Sequence, residues 1–185
     1  MTGGAAARGR WLTLANLLTG LRLLAAPLLA LAVWEGHTLG AGVLFWAAVA
    51  SDFADGRIAR RRGEASSLGG LLDHATDATF VTVGLAALAA KGVVPGLLPV
   101  VVAAAFVQYT LDSRALRGRP LRASGLGRWN GIAYFVLLGT PVTRDLLGLR
   151  WPGETLVALL AWLLVVTTLA SLADRGFAAL ASRRG

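Results

Sequence analysis

The amino-acid sequence predicts an all-α, polytopic membrane protein, a bundle of six transmembrane helices, and three observations predict it. Apolar residues make up 56% of the 185 and charged residues 15%. With a mean hydropathy of +0.64, that balance lies outside the range of ordinary soluble domains. The apolar residues also gather into six runs near the roughly 20 residues that a helix needs to cross a hydrocarbon core. Finally, the arginines concentrate in alternate connections between these runs, as in a chain that threads back and forth across a bilayer. No stretch is left over for a soluble domain, so residues 1–185 read as one membrane domain.

The first run extends from about Trp11 to Val33. It is too long for a signal core and lacks a small-residue cleavage site, so it reads as a retained span with Pro27 as a tolerated kink. Residues 2–10 ahead of it leave room for a short interfacial helix. Arg22 falls inside this first run, where a cation facing lipid is costly, so it is expected to face acidic groups or a phosphate. The second run spans about Leu39 to Arg60 and the third about Leu68 to Ala90, joined by the turn Arg61–Ser66. After the Lys91-Gly92 turn, the fourth spans about Val93 to Leu116, with Pro95 and Pro99 in its early turns. It becomes polar at Gln108, Tyr109, Asp112, Ser113 and Arg114 and passes into a basic, glycine-containing loop. A fifth run covers about Trp129 to Leu147. The connection Arg144–Glu154 has Trp151 and Pro152 at an interfacial position, and a sixth run covers about Thr155 to Leu172 before a basic tail with Arg175, Arg183 and Arg184.

Of the 18 Lys and Arg residues, 14 fall in the N-terminus, the second-to-third and fourth-to-fifth connections and the C-terminus. That asymmetry places both termini and these two connections on the cytoplasmic side of a cell (inner) membrane. The net charge of +8 then belongs beside anionic headgroups and phosphorylated ligands rather than nucleic acid. The absence of cysteine excludes disulfides, thiolate metal sites and cysteine nucleophiles.

Four of the ten acidic residues crowd into one stretch: Asp52 and Asp55 near the end of the second run, Asp73 and Asp77 near the start of the third. On helices, positions three and four apart share a face, so Asp52, Asp55 and Ala59 form one stripe and Gly69, Asp73 and Asp77 another. An antiparallel turn between them makes the four carboxylates converge. So many like charges near one another repel unless cations neutralise them. Oxygen-only ligands suit Mg²⁺ or Mn²⁺ far better than zinc, and four carboxylates are enough for two ions. A two-metal site of this kind clamps phosphates during displacement at phosphorus.

The full pattern, Asp52-x2-Asp55-Gly56-x2-Ala59-Arg60-x8-Gly69-x3-Asp73-x3-Asp77, resembles the signature of the CDP-alcohol phosphatidyltransferase family at all eight fixed positions. Asn16, Thr19 and Arg22 resemble that family's opening motif more loosely. The resemblance implies an integral membrane enzyme of phospholipid biosynthesis that moves a phosphatidyl group from a CDP-linked lipid such as CDP-diacylglycerol to an alcohol, releasing CMP. It implies Mg²⁺ or Mn²⁺ on Asp52, Asp55, Asp73 and Asp77, with Asp77 also the general base. Gly56, Ala59, Arg60 and Gly69 would meet the donor, and a homodimer is the usual assembly. His74, which follows Asp73, points about 100° away from it on a helix and is expected to pack rather than react.

The acceptor is read less directly. Arg114, Arg122 and Arg128 flank the basic loop on the acidic motif's side, where they can hold an acceptor phosphate. Relatives that use glycerol phosphate or phosphatidylglycerol often carry Pro and Lys after the third and fourth aspartates. Here those positions are His74 and Ala78, which disfavours both of these, so inositol or inositol phosphate is the acceptor expected, with glycerol 3-phosphate (a phosphatidylglycerophosphate synthase type) as the alternative. A divalent-metal transporter is the reading from another class. It would place its acids nearer the membrane midplane.

Overall fold

A computed structural model describes the backbone of residues 14–62, 67–112 and 125–181, and the side chains of residues 19–53, 70–111 and 125–177. The described chain is entirely helical: α1 (Leu14–Glu35), α2 (Thr38–Arg62), α3 (Ser67–Ala90), α4 (Leu97–Asp112), α5 (Gly125–Leu146) and α6 (Glu154–Ala181). Six helices agree in number with the six apolar runs. By length and hydropathy, one described stretch, Glu154–Phe177, is long and apolar enough to cross a membrane, while Thr38–Phe53 and Leu97–Leu111 are shorter apolar helices. In α3 the carboxylates of the motif occupy positions that a uniformly apolar span would fill with aliphatic side chains.

Three helices end in the same way. Gly36, Gly92 and Gly148 adopt φ of 77°, 75° and 63°, and the next residue's N–H reaches back to a carbonyl five positions earlier. These bonds are His37 to Ala32 at 2.8 Å, Val93 to Leu88 at 3.0 Å and Leu149 to Arg144 at 2.9 Å. Glycine takes this left-handed turn without a Cβ penalty and so closes α1, α3 and α5 with Schellman caps. All three turns lie at the end of the bundle remote from the acidic motif, and Lys91 Nζ ties two of them by donating to Val33 O at 3.1 Å.

The predicted boundaries need three corrections. The fourth helix begins at Leu97 rather than Val93, because Pro95 disfavours helical geometry at Val94. Pro99 then sits in the first turn, where no N–H partner is lost. The fifth begins at Gly125, taking the glycine-flanked Gly125–Arg128 into the helix. The sixth runs to Ala181 rather than ending near Leu172: the extension has no proline, its alanines and leucine favour a helix, and the single Gly176 within it costs only about 1 kcal/mol. Arg175 therefore belongs to a helix, not a tail. The interfacial helix expected at residues 2–10, the Arg61–Ser66 turn and the extreme C-terminus lie largely or wholly outside the described residues.

α3 is the hub, packing against α1, α4 and α5, while α4 packs on α6, α6 on α5 and α5 on α2. Leu29, Phe80, Leu85, Leu98, Leu138 and Val157 are buried between them. Small residues set the closest approaches: a Cβ on Gly84 would lie 2.8 Å from Leu138 Cδ2, and one on Gly139 would overlap the Phe45 ring. The outer faces carry exposed Leu, Val and Trp side chains, among them Leu24, Leu28, Trp34, Val100, Leu159 and Trp162.

Candidate metal centre and adjoining cavity

Asp52 arrives from α2, and Asp73 and Asp77 stand one turn apart on α3; the two helices pack on α1 rather than pairing face to face as expected from the motif, and around α1 three carboxylates still come to one place. Each offers one oxygen within 4.8 Å of the others. This all-oxygen donor set fits a hard divalent cation. Asp55 lies on α2 by its backbone, as do Gly56, Ala59 and Arg60, and Gly69 lies in the first turn of α3. The side chains of these five residues are outside the described set.

Arg22 enters the cluster from α1 with its side chain fully buried. Its Nη1 donates to Asp77 Oδ1 at 2.6 Å and to Asp73 Oδ1 at 3.0 Å, and it lies 3.4 Å from Asp52 Oδ1. One guanidinium thus spans three carboxylates from two other helices, as the cost of a lipid-facing arginine predicted. It offsets part of their negative charge, and the remainder favours a divalent cation. Asp77 is the most enclosed of the three, with 19% of its side chain exposed, against 42% for Asp73 and 45% for Asp52.

A cavity of about 360 Å³ opens from this cluster and runs between α3, α4, α5 and α6. Asp52 and Asp77 stand at its acidic edge, and Arg128 and Arg175 also line it. Deeper in, the wall is apolar at Val81, Val102 and Phe135 and polar at Asn130, Tyr134 and Thr168. Arg128 is therefore at the cavity, while Arg114 and Arg122 lie outside the described residues. His74 packs against Tyr109, with ring centroids 4.6 Å apart, and against Phe106 at 5.6 Å. This is the packing expected of it. The Arg175 guanidinium sits 5.3 Å from the Tyr109 ring centroid, a cation–π contact that orients its charge.

Sequence reasoning missed Arg175, Asn130, Tyr134 and Thr168 as cavity residues. The signal was periodic: Thr168, Ser171 and Arg175 stand three and four apart in an otherwise apolar helix, and Asn130 and Tyr134 stand four apart in the next helix of the ring.

The family model for CDP-alcohol phosphatidyltransferase matches residues 12–174. A Mycobacterium tuberculosis protein named probable phosphatidylglycerophosphate synthase is 38% identical over 107 residues, which are 55% of this chain and 51% of that protein. A Mycobacterium bovis protein named putative cardiolipin synthase is 38% identical over 90 residues, 48% of this chain and 43% of the relative. A Schizosaccharomyces pombe protein, cardiolipin synthase (CMP-forming) / mitochondrial hydrolase fusion protein, is 30% identical over 154 residues, 73% of this chain and 26% of that one. The aligned part of the chain spans about half or less of the length of these relatives.

Proposed function

Because the chain belongs to the CDP-alcohol phosphatidyltransferase family, we propose that it transfers a phosphatidyl group from a CDP-linked lipid, such as CDP-diacylglycerol, to the hydroxyl of an alcohol and releases CMP. The observation that carries this reading is the convergence of Asp52, Asp73, Asp77 and Arg22 at the edge of a partly open cavity. Asp52, Asp55, Asp73 and Asp77 hold Mg²⁺ or Mn²⁺, two ions by the number of carboxylates, with Asp55 assigned from the motif alone. Bound there, the ions supply Lewis-acid stabilisation of charge on the donor diphosphate.

The chain's own residues do the rest. Asp77, the most enclosed carboxylate, takes the proton from the acceptor hydroxyl as its oxygen attacks phosphorus and the bond to CMP breaks. Gly56, Ala59 and Gly69 keep the facing helix surfaces low enough for the nucleotide to approach, and Arg60 pairs with donor phosphate. Arg128 and Arg175, with Arg114 and Arg122 from the adjoining loop, hold an acceptor phosphate.

The acceptor is an inositol-type alcohol (inositol or inositol phosphate) or, second, glycerol 3-phosphate. Relatives named for glycerol lipids favour the second, and His74 and Ala78 depart from the Pro and Lys often found with it. The exposed Leu, Val and Trp belt supports a bilayer around all six helices. In that setting the acidic cluster and both termini are cytoplasmic and the protein is a homodimer.

The test is CMP release from CDP-diacylglycerol by the purified full chain, with Mg²⁺ or Mn²⁺ and a panel of alcohols. Metal-dependent release that stops with EDTA is expected. No release with any acceptor, or divalent-ion flux in proteoliposomes without release, overturns the reading.

A further inference from the structure

The acidic cluster has a cation of its own, and that cation comes from a helix that contributes none of the described acids. A single nitrogen of Arg22, Nη1, serves all three carboxylates: it lies 2.6 Å from Asp77 Oδ1, 3.0 Å from Asp73 Oδ1 and 3.4 Å from Asp52 Oδ1. The guanidinium fork usually spreads its donors over one carboxylate in parallel bonds. Here one donor atom stands where three acids converge, as a point charge would. The contacts are graded in solvent as well as in length, since Asp77 is the most enclosed acid and Asp73 and Asp52 are wetter. Because α2 and α3 each pack on α1, this nitrogen is also the polar link between the acids of the two helices.

We propose that Arg22 is an exchangeable counter-ion of the metal centre, competing with the divalent ion for the same carboxylates, yielding Asp52 and Asp73 to it and keeping Asp77. This rests on the metal centre proposed above. Two cations drawn to the same three carboxyl groups repel each other, and the repulsion is poorly screened around a fully enclosed guanidinium. Complete release of Arg22 is closed off, because a buried charge without a partner is strongly unfavourable. Asp77 offers the shortest contact and the least solvent, so it is the partner retained. Asp52 and Asp73, held at longer range and open to water, are free to turn toward an ion arriving from that side. Arg22 therefore weakens metal binding while protecting the metal-free cluster from its own repulsion. A residue whose role was to position the acids for the ion would have the opposite effect on affinity.

The experiment measures binding of Mn²⁺ alone, from the free-ion electron paramagnetic resonance signal, to the purified full chain as wild type, Arg22→Gln and Arg22→Lys. Arg22→Gln removes the competing charge and should bind Mn²⁺ about tenfold or more tightly than wild type. Arg22→Lys keeps the charge and should stay within about threefold. Tighter binding also means that saturating Mn²⁺ should raise the thermal unfolding midpoint of Arg22→Gln by more than it raises that of wild type. A second measurement needs no variant that must fold without its counter-ion: in wild type labelled with ¹⁵N-arginine, the guanidinium resonance missing from the Arg22→Lys spectrum should shift when Mg²⁺ is added to saturation.

Weaker or unchanged Mn²⁺ affinity in Arg22→Gln, or an Arg22 resonance unmoved in wild type saturated with Mg²⁺, overturns the exchange and leaves the metal centre standing. Failure of wild type and both variants to bind either ion overturns the metal centre and the exchange together. Metal binding with the predicted order of affinities but no CMP release from any acceptor sinks the transferase reading and keeps the exchange.

Discussion

Arg22 shows how much a single side chain decides in this protein. It is the one Lys or Arg that sequence reading assigned to neither face of the membrane, and its guanidinium contacts carboxylates on α2 and α3, so it ties three helices together at the acidic cluster. Asp77 has the shortest of these contacts and the least solvent. Replacing it with the uncharged isostere should therefore remove the proton acceptor and one metal ligand while keeping the side chain's volume. Asp77→Asn is expected to lower turnover roughly 10²–10⁴-fold, with a thermal unfolding midpoint close to wild type in EDTA. Near-normal turnover at saturating metal would show that another group takes the proton.

Among the elements, α6 departs most from its sequence reading, and the departure has functional weight. Hydropathy falls at Asp174-Arg175, so a reading based on apolar runs stops near Leu172, whereas backbone geometry continues wherever nothing breaks it. The extra turns carry Arg175 onto Tyr109. In the proposed reaction Arg175 contacts the acceptor alone, so Arg175→Ala should raise the acceptor KM about tenfold with the KM for CDP-lipid within about twofold. An equal rise in both would make Arg175 a structural residue of the mouth.

The acid cluster, by contrast, was legible because its chemistry lies in local spacing: Asp73 and Asp77 share a helix face by arithmetic, and Asp52 follows once the turn is antiparallel. Asn130, Tyr134 and Thr168 meet through tertiary packing of α5 on α6, and no local spacing encodes which two helices will be neighbours. The glycine stops at Gly36, Gly92 and Gly148 were equally available in the sequence, but only their φ values distinguish a cap from a packing residue.

Across the described residues, alternating helices put the three glycine-capped turns at one end and the acidic cluster at the other. A bilayer around such a bundle is expected to orient it with the arginine-rich end cytoplasmic. Single cysteines introduced as Ser182→Cys and Gly153→Cys should react with a membrane-impermeant thiol reagent from opposite sides of sealed vesicles, a clean assay in a chain with no cysteine of its own. Labelling of both from the same side would refute the six-span topology.

The placement of Arg22 has a consequence for how such a protein can change. The described acids of the cluster and their counter-charge all come from α1, α2 and α3, which end at Ala90, whereas the polar wall of the cavity comes from α5 and α6. In the proposed reaction the metal-binding acids thus come from the N-terminal half of the polypeptide and the arginines for the acceptor phosphate from the C-terminal half, meeting across the face that α3 offers to α4 and α5. A lineage can revise the C-terminal half, turn by turn, without disturbing the ionic lock of the N-terminal half. A hybrid that keeps residues 1–90 and borrows its remaining helices from a relative with another alcohol should inherit the relative's preference while hydrolysing or transferring from the same nucleotide-linked lipid.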